Sequence, residues 1–180
     1  AGIMVNEKTG ENAINIIPGA AGTLTHDDIE KNLNFIANTE IFLTQLETPY
    51  EVTSYALKKA KENGLATILN PAPACKIKDD DFELIDFFTP NETEAEFYLN
   101  KKIETEKDIK SASEEFLKKG VKNIVITLGE KGCYFANKKE NFFLEAFKLK
   151  NPVLDTTGAG DAFNGALAVG LSKDLDIKEA

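Results

Sequence analysis

The chain has 180 residues, 42% hydrophobic and 28% charged, a globular balance with enough length for one domain of roughly 100–200 residues. Thirty acidic against 21 basic side chains give a formal charge of −9, which presents no overall positive field to nucleic acid or an anionic membrane, so an anionic ligand has to be held by local groups. Apolar runs such as Ile124 to Leu128 fall far short of the ~20 residues that span a bilayer, and two distant cysteines, Cys75 and Cys133, suit reduced thiols in a cytoplasmic setting better than a disulfide framework.

The chain opens on strand-like residues without an initiator Met and stops within the charged, helix-like pattern Asp176 to Ala180, so it reads as incomplete at both ends. Residues 1–17 are expected to form a β-hairpin: Ile3 to Val5, a polar turn over Asn6 to Asn12 that contains Gly10, then Ala13 to Ile17. From Pro18 the period changes. Thr25 and Asp28 start a helix whose Ile29, Leu33, Ile36 and Ala37 share one face. A short buried strand at Glu40 to Thr44 follows, then Thr48, Pro49 and Glu51 as N-cap, first-turn proline and capping-box acid of a helix closed by Gly64.

Ala66 to Leu69 predicts the next strand, running into the proline-locked turn Asn70-Pro71-Ala72-Pro73-Ala74. Phe87 to Thr89 is a further strand, and Asn91 with Glu94 opens a helix. Thr105 and Asp108 cap another, carrying Ile109, Ala112, Phe116 and Leu117 and closed by Gly120. A strand over Asn123 to Leu128, a turn at Gly129 to Gly132 and a strand at Cys133 to Ala136 complete the pattern. Strands alternating with helical segments indicate βαβ units: an α/β fold in three layers around a mainly parallel sheet, with residues 18–180 as its core.

Such sheets bind ligands outside the carboxyl ends of their strands. The strongest segment there is Asp155-Thr156-Thr157-Gly158-Ala159-Gly160-Asp161. Its two glycines permit a tight turn with outward backbone N–H groups, the following helix N-terminus suits phosphate, and Asp161 beside it can take a proton from an attacking hydroxyl. The same residues also fit a plain glycine turn with Asp161 as a first-turn acid. Asn91 and Glu94 have the spacing of a reciprocal cap; they can also place an amide near phosphate oxygens and a carboxylate beside Mg²⁺ through water. Residues Thr127 to Gly132 read as a β-turn or as a glycine loop that a nucleotide can approach. Glu47 lies on the ligand edge, either as a surface acid or as a hydroxyl-binding carboxylate. A Walker P-loop is absent, and a lone His26 without a Cys/His cluster speaks against a zinc site.

Taken together, Asp155 to Gly165, Thr89 to Ala95, Asn70 to Ala74, Ile126 to Gly129 with Gly132, and Gln45 to Glu47 resemble the ribokinase-like family of carbohydrate kinases, in that family's order and over nearly the whole chain. The resemblance implies phosphorylation of D-ribose at O5 by Mg·ATP, with a fructose-type or nucleoside kinase, or a non-catalytic nucleotide-binding piece, as alternatives. It implies Asp161 as catalytic base and sugar contact, and Gly158, Ala159 and Gly160 as an anion hole. ATP would meet Asn91, Thr127, Leu128, Gly129, Glu130, Lys131, Gly132, Gly160 and Asp161. Glu94 would hold Mg²⁺ through water, Asp155 and the Thr157 carbonyl part of a K⁺ site, and Glu47 a ribose hydroxyl. The hairpin of residues 1–17 would be part of a small β lid over the sugar, through which two copies pair. The family's Gly-Gly-rich sugar element and first Asp-containing strand have no counterpart here, nor do the later helices that finish its adenine pocket.

Overall fold

A computed structural model describes residues 2–7, 9, 12–151 and 153–180. Two sheets organise them. Strands β1 (Gly2–Val5) and β2 (Asn12–Asn15) form an antiparallel ribbon, with Ile3 opposite Ile14. The connecting turn expected around Gly10 lies outside the described residues. The second strand is shorter than expected and one residue earlier, since residues 16 and 17 leave the ladder before Pro18.

The main sheet has six strands in the order β3 (Ile41–Thr44), β4 (Ala66–Leu69), β5 (Phe87–Phe88), β6 (Asn123–Thr127), β7 (Cys133–Asn137) and β8 (Asn141–Leu144). The first four run parallel, β7 pairs antiparallel with β6 and β8 antiparallel with β7, so only β7 runs against the rest and the sheet is mainly parallel as expected. Strand β8 has no counterpart in the sequence reading. Its Asn-Phe-Phe-Leu run pairs with β7 through a turn in which Asn137 Oδ1 accepts from the N–H groups of Lys139 and Glu140.

Register explains which residues fill the two faces. Leu69, Phe88, Ile124 and Ala136 stand opposite one another across four strands, and all are buried on one face. Helices α3 (Tyr50–Glu62), α4 (Glu92–Leu99) and α5 (Glu106–Lys119) bring Leu57, Ala95 and Phe116 to it. There Phe88 meets Phe116 and Tyr98 edge-on, with ring centres 5.1 Å and 5.6 Å apart, a geometry that adds to simple burial. The opposite row includes Val125, Cys133 and Phe135, against which Phe163 of α6 (Ala159–Ser172) packs. Helices on both faces make three layers.

Local chemistry sets the helix boundaries. Reciprocal capping boxes stand at Thr25/Asp28, Asn91/Glu94 and Thr105/Asp108, as the spacing predicts, and Gly120 ends α5 in the left-handed region at φ 115°. Three expectations need correction. The helix after Thr25 is two pieces, α1 (His26–Lys31) and α2 (Leu33–Ile36), because Asn32 turns its amide back onto the Asp28 carbonyl at 2.8 Å and leaves helical geometry. Thr48 does not cap α3. Pro49 takes an extended ψ of 127° and itself precedes the first helical residue, while the Thr48 and Thr53 hydroxyls pair at 2.6 Å. At the far end, α6 stops at Ser172, and residues 177–179 form a turn closed by Ala180 N–H donating to the Asp176 carbonyl, not a helix.

Candidate active site

The carboxyl ends of β3, β4, β5 and β6 share one edge of the sheet, and the backbone ladder continues past them. Asn70 N–H donates to the Thr44 carbonyl, Thr89 N–H to Leu69, and Thr127 N–H to Pro90, each at 3.0 Å. Asn91 and Thr127 form an isolated parallel bridge. These bonds bring Gln45, Asn70, Thr89, Asn91 and Thr127 to one edge although 82 residues separate the first from the last.

Helix α6 enters at this edge. Its N-cap, Gly158, has φ 77°, a value that favours glycine, and no side chain caps the first turn. The amides of Gly160 and Asp161 therefore lack the intrahelical partner that interior residues have, and a Cβ added at Gly160 would meet nothing within 4 Å. An uncapped first turn opening onto free space is suited to an anion. Asp161 is exposed in that turn. Its Oδ1 accepts from Gln45 Nε2 at 2.7 Å, and the same amide nitrogen donates to Asn70 Oδ1 at 2.9 Å, so both Gln45 amide protons are used.

The preceding loop is pinned from two sides. Thr157 donates to Asp155 through its hydroxyl and its N–H, the latter at 2.8 Å, which holds the Asp155 carboxyl below its ordinary range. Asn12, on the ribbon, donates to the Thr156 and Thr157 hydroxyls at 3.2 Å and 3.1 Å. The ribbon thus touches the loop that leads into α6.

Asn91 and Glu94 form the reciprocal cap at 2.8 Å in both directions. Burial pushes the Glu94 carboxyl above its ordinary range despite the bond from Asn91 N–H. No lysine pairs with it among the described residues. The Thr127 to Gly132 loop is a single 3-10 turn between β6 and β7, closed by Leu128 N–H donating to the Gly132 carbonyl at 2.8 Å. Gly132 is required there, because at φ 99° a Cβ would lie 1.9 Å from the Leu144 carbonyl oxygen. Glu47 is exposed on the loop after β3, two residues beyond Gln45. Among the described residues, no group of three or more His, Cys, Asp or Glu side chains converges as a metal cage. No helix among the described residues is long and apolar enough to cross a membrane.

The motif reading assigned no role to Asn70, Thr89 and Asn164, three buried polar residues at this edge. The available signal was their polarity: Asn164 interrupts the apolar run Ala162, Phe163, Ala166, Leu167, and such interruptions inside a core need partners.

A helix N-terminus set against the carboxyl ends of a doubly covered parallel sheet defines an α/β ligand-binding domain. Residues 1–180 match the family described as pfkB family carbohydrate kinase, and the chain belongs to that family. It is 40% identical to the ribokinase of Staphylococcus aureus over 174 residues, which cover 97% of this chain and 56% of that protein. Among solved structures, it is similar to a ribokinase of Thermotoga maritima, with a TM-score of 0.82 and 39% identity over 98% of this chain and 57% of the other. An Arabidopsis thaliana ribokinase complexed with ribose and ATP gives 0.84 and 29% over the same shares. The chain spans little more than half the length of each.

Proposed function

We propose that the protein containing this chain is an ATP-dependent sugar kinase that phosphorylates D-ribose at O5. The observation that carries this reading is the exposed Asp161 carboxylate in the uncapped first turn of α6, oriented by Gln45 at the carboxyl edge of the sheet. The kinship with ribokinases, one of them solved with ribose and ATP, supports the choice of substrates.

In this account Asp161 accepts the proton of the sugar 5-hydroxyl as that oxygen forms its bond to the γ-phosphorus. The bond from phosphorus to the bridging oxygen breaks, and the electron pair leaves with ADP. Charge on the transferring phosphoryl group meets the backbone at Gly158, Ala159 and Gly160, where the Ala159 N–H, which donates to the Thr156 carbonyl at 3.1 Å, would have to be shared with the phosphate. Asn91 contacts ATP phosphate, residues Thr127 to Gly132 face the nucleotide, and Glu47 binds a ribose hydroxyl.

Glu94 fits a Mg²⁺ role through water: it is a half-buried oxygen donor with no lysine paired to it among the described residues, and Mg²⁺ keeps most of its waters. When bound, the ion would neutralise charge on the phosphates. Asp155 and the Thr157 carbonyl supply two hard oxygens toward K⁺, a partial shell through which no step runs. The ribbon, with Ile3, Met4 and Ile14 exposed, is the part of a lid that would shelter the sugar and pair two copies.

The test is ATP consumption by the whole protein with ribose, fructose and adenosine as competing acceptors. Ribose should give the highest kcat/KM, and a preference for fructose or adenosine would contradict the assignment.

A further inference from the structure

The turn that carries Asp161 has no side-chain cap and is exposed, yet phosphoryl transfer by positioning requires that it be held to a fraction of an ångström. A closed chain of hydrogen bonds at the base of that turn supplies the restraint. Gln45 Nε2 donates to Asp161 Oδ1 and to Asn70 Oδ1. Asn70 Nδ2 donates to the Thr89 carbonyl at 2.9 Å. The Thr89 hydroxyl donates to Asn164 Oδ1 at 2.6 Å, and Asn164 Nδ2 donates to the Gly160 carbonyl at 2.8 Å. The ring starts at Asp161 and ends at the residue before it.

We propose that Thr89, Asn164 and Asn70, with Gln45, are positioning residues that lock the first turn of α6 to the ends of β3, β4 and β5, fixing the Asp161 carboxylate and the Gly160–Asp161 peptide together. The claim that they serve catalysis rests on the reading of Asp161 as the base.

Burial and direction both support it. Thr89 is 1% exposed, Asn164 3% and Asn70 7%, and Asn164 is the first buried residue of α6, one turn after Gly160. The packing of Phe163 and Leu167 presses the helix against the sheet but leaves it able to slide or rotate by small amounts, because apolar contact is non-directional. The Thr89 to Asn164 bond is directional and shielded from water, so its loss strands a polar atom that cannot find another partner. Asn70 and Asn164 each use both ends of their amide and Gln45 uses both protons of its amide nitrogen, so turning any one of the three amides over would set like atoms against each other. The three amides and the hydroxyl are all uncharged, so the ring orients the single carboxylate without competing for its charge.

The experiment uses the whole protein and the variants Thr89→Val, Thr89→Ser and Gln45→Met. Val keeps the shape of Thr and removes the hydroxyl; Ser keeps the hydroxyl; Gln45→Met acts at a half-buried position and tests the ring from its other side. The proposal expects Thr89→Val and Gln45→Met to lower kcat by about tenfold to a hundredfold with KM for ATP within about twofold, and Thr89→Ser to recover most of the loss. Amide hydrogen exchange of residues 156–164 should be faster in Thr89→Val than in wild type and Thr89→Ser. Unchanged exchange in that segment, or kcat near wild type with only a lower Tm, would overturn the proposal. If no form turns over a sugar, the kinase reading fails, while exchange alone still decides whether the tether exists.

Discussion

Asp161 and Glu47 are both tied to the loop after β3, the first by a hydrogen bond and the second by sequence. Gln45 reaches from the loop after β3 to the Asp161 carboxylate, and Glu47 follows on the same loop with its side chain exposed. A loop acid that merely solvates the surface would be replaceable without effect. A ribose-hydroxyl ligand makes Glu47→Ala raise KM for ribose by roughly tenfold or more, the worth of a charged hydrogen bond, while KM for ATP changes little. Steady-state kinetics with each substrate varied in turn separates the two readings, and equal changes in both would assign Glu47 to loop structure. At this scale the motif residues were legible because each carries a local signature: glycines with positive φ at 129, 132 and 158, and an acid just inside a helix. The ring through Asn70, Thr89 and Asn164 was not, since its partners are 75 residues apart in one bond and 116 in another, and only the packed sheet brings them together.

Helix ends were the most legible elements, because capping is local chemistry: three reciprocal boxes form where the spacing predicts them. The failures share a cause as well. Asn32 and Pro49 each had an acceptable helical alternative, and the outcome turned on a side-chain bond in one case and an extended backbone in the other. Strand β8 was missed because a four-residue run gains its pairing only from β7. One capping box makes a sharper test. Asn91 is both the cap of α4 and the proposed phosphate contact, whereas Thr105 is a cap of the same kind on α5. Thr105→Ala should cost about 1 kcal/mol of stability in denaturant unfolding with no change in KM for ATP. Asn91→Ser, which keeps a capping oxygen, should leave stability within about 0.5 kcal/mol but raise KM for ATP several-fold. Unchanged nucleotide kinetics in Asn91→Ser would leave Asn91 a cap alone.

At the scale of the whole molecule, the sheet carries a buried charge cluster away from the candidate site. At the end opposite the candidate site, the buried Asp86 carboxylate accepts from Lys61 at 2.8 Å and 2.7 Å, meets Lys122 at 2.6 Å, and accepts from the Thr67 N–H at 2.9 Å. Burial disfavours its ionised form, but the bonds from Lys122, Lys61 and Thr67 outweigh that, so its carboxyl sits below the ordinary range. A depressed acid contributes stability that is full above its unfolded value of about 3.9 and is lost as pH falls through the lower folded value. Stability should therefore fall from about pH 5 downward, more steeply in wild type than in Asp86→Asn, which should itself be weaker by on the order of 2–3 kcal/mol at pH 7. Parallel slopes in acid for the two proteins would show that Asp86 is not among the groups responsible.

In the proposed account the acidic surface leaves phosphate to backbone amides and to cations held by Glu94, Asp155 and Thr157, and leaves the hydroxyl proton to Asp161. The most direct measurement is kcat for ribose phosphorylation by the whole protein and by Asp161→Asn at saturating ATP. The account predicts a fall of ~10²–10⁴ with ATP affinity nearly unchanged, the usual worth of a general base. A variant that retains wild-type turnover would contradict it.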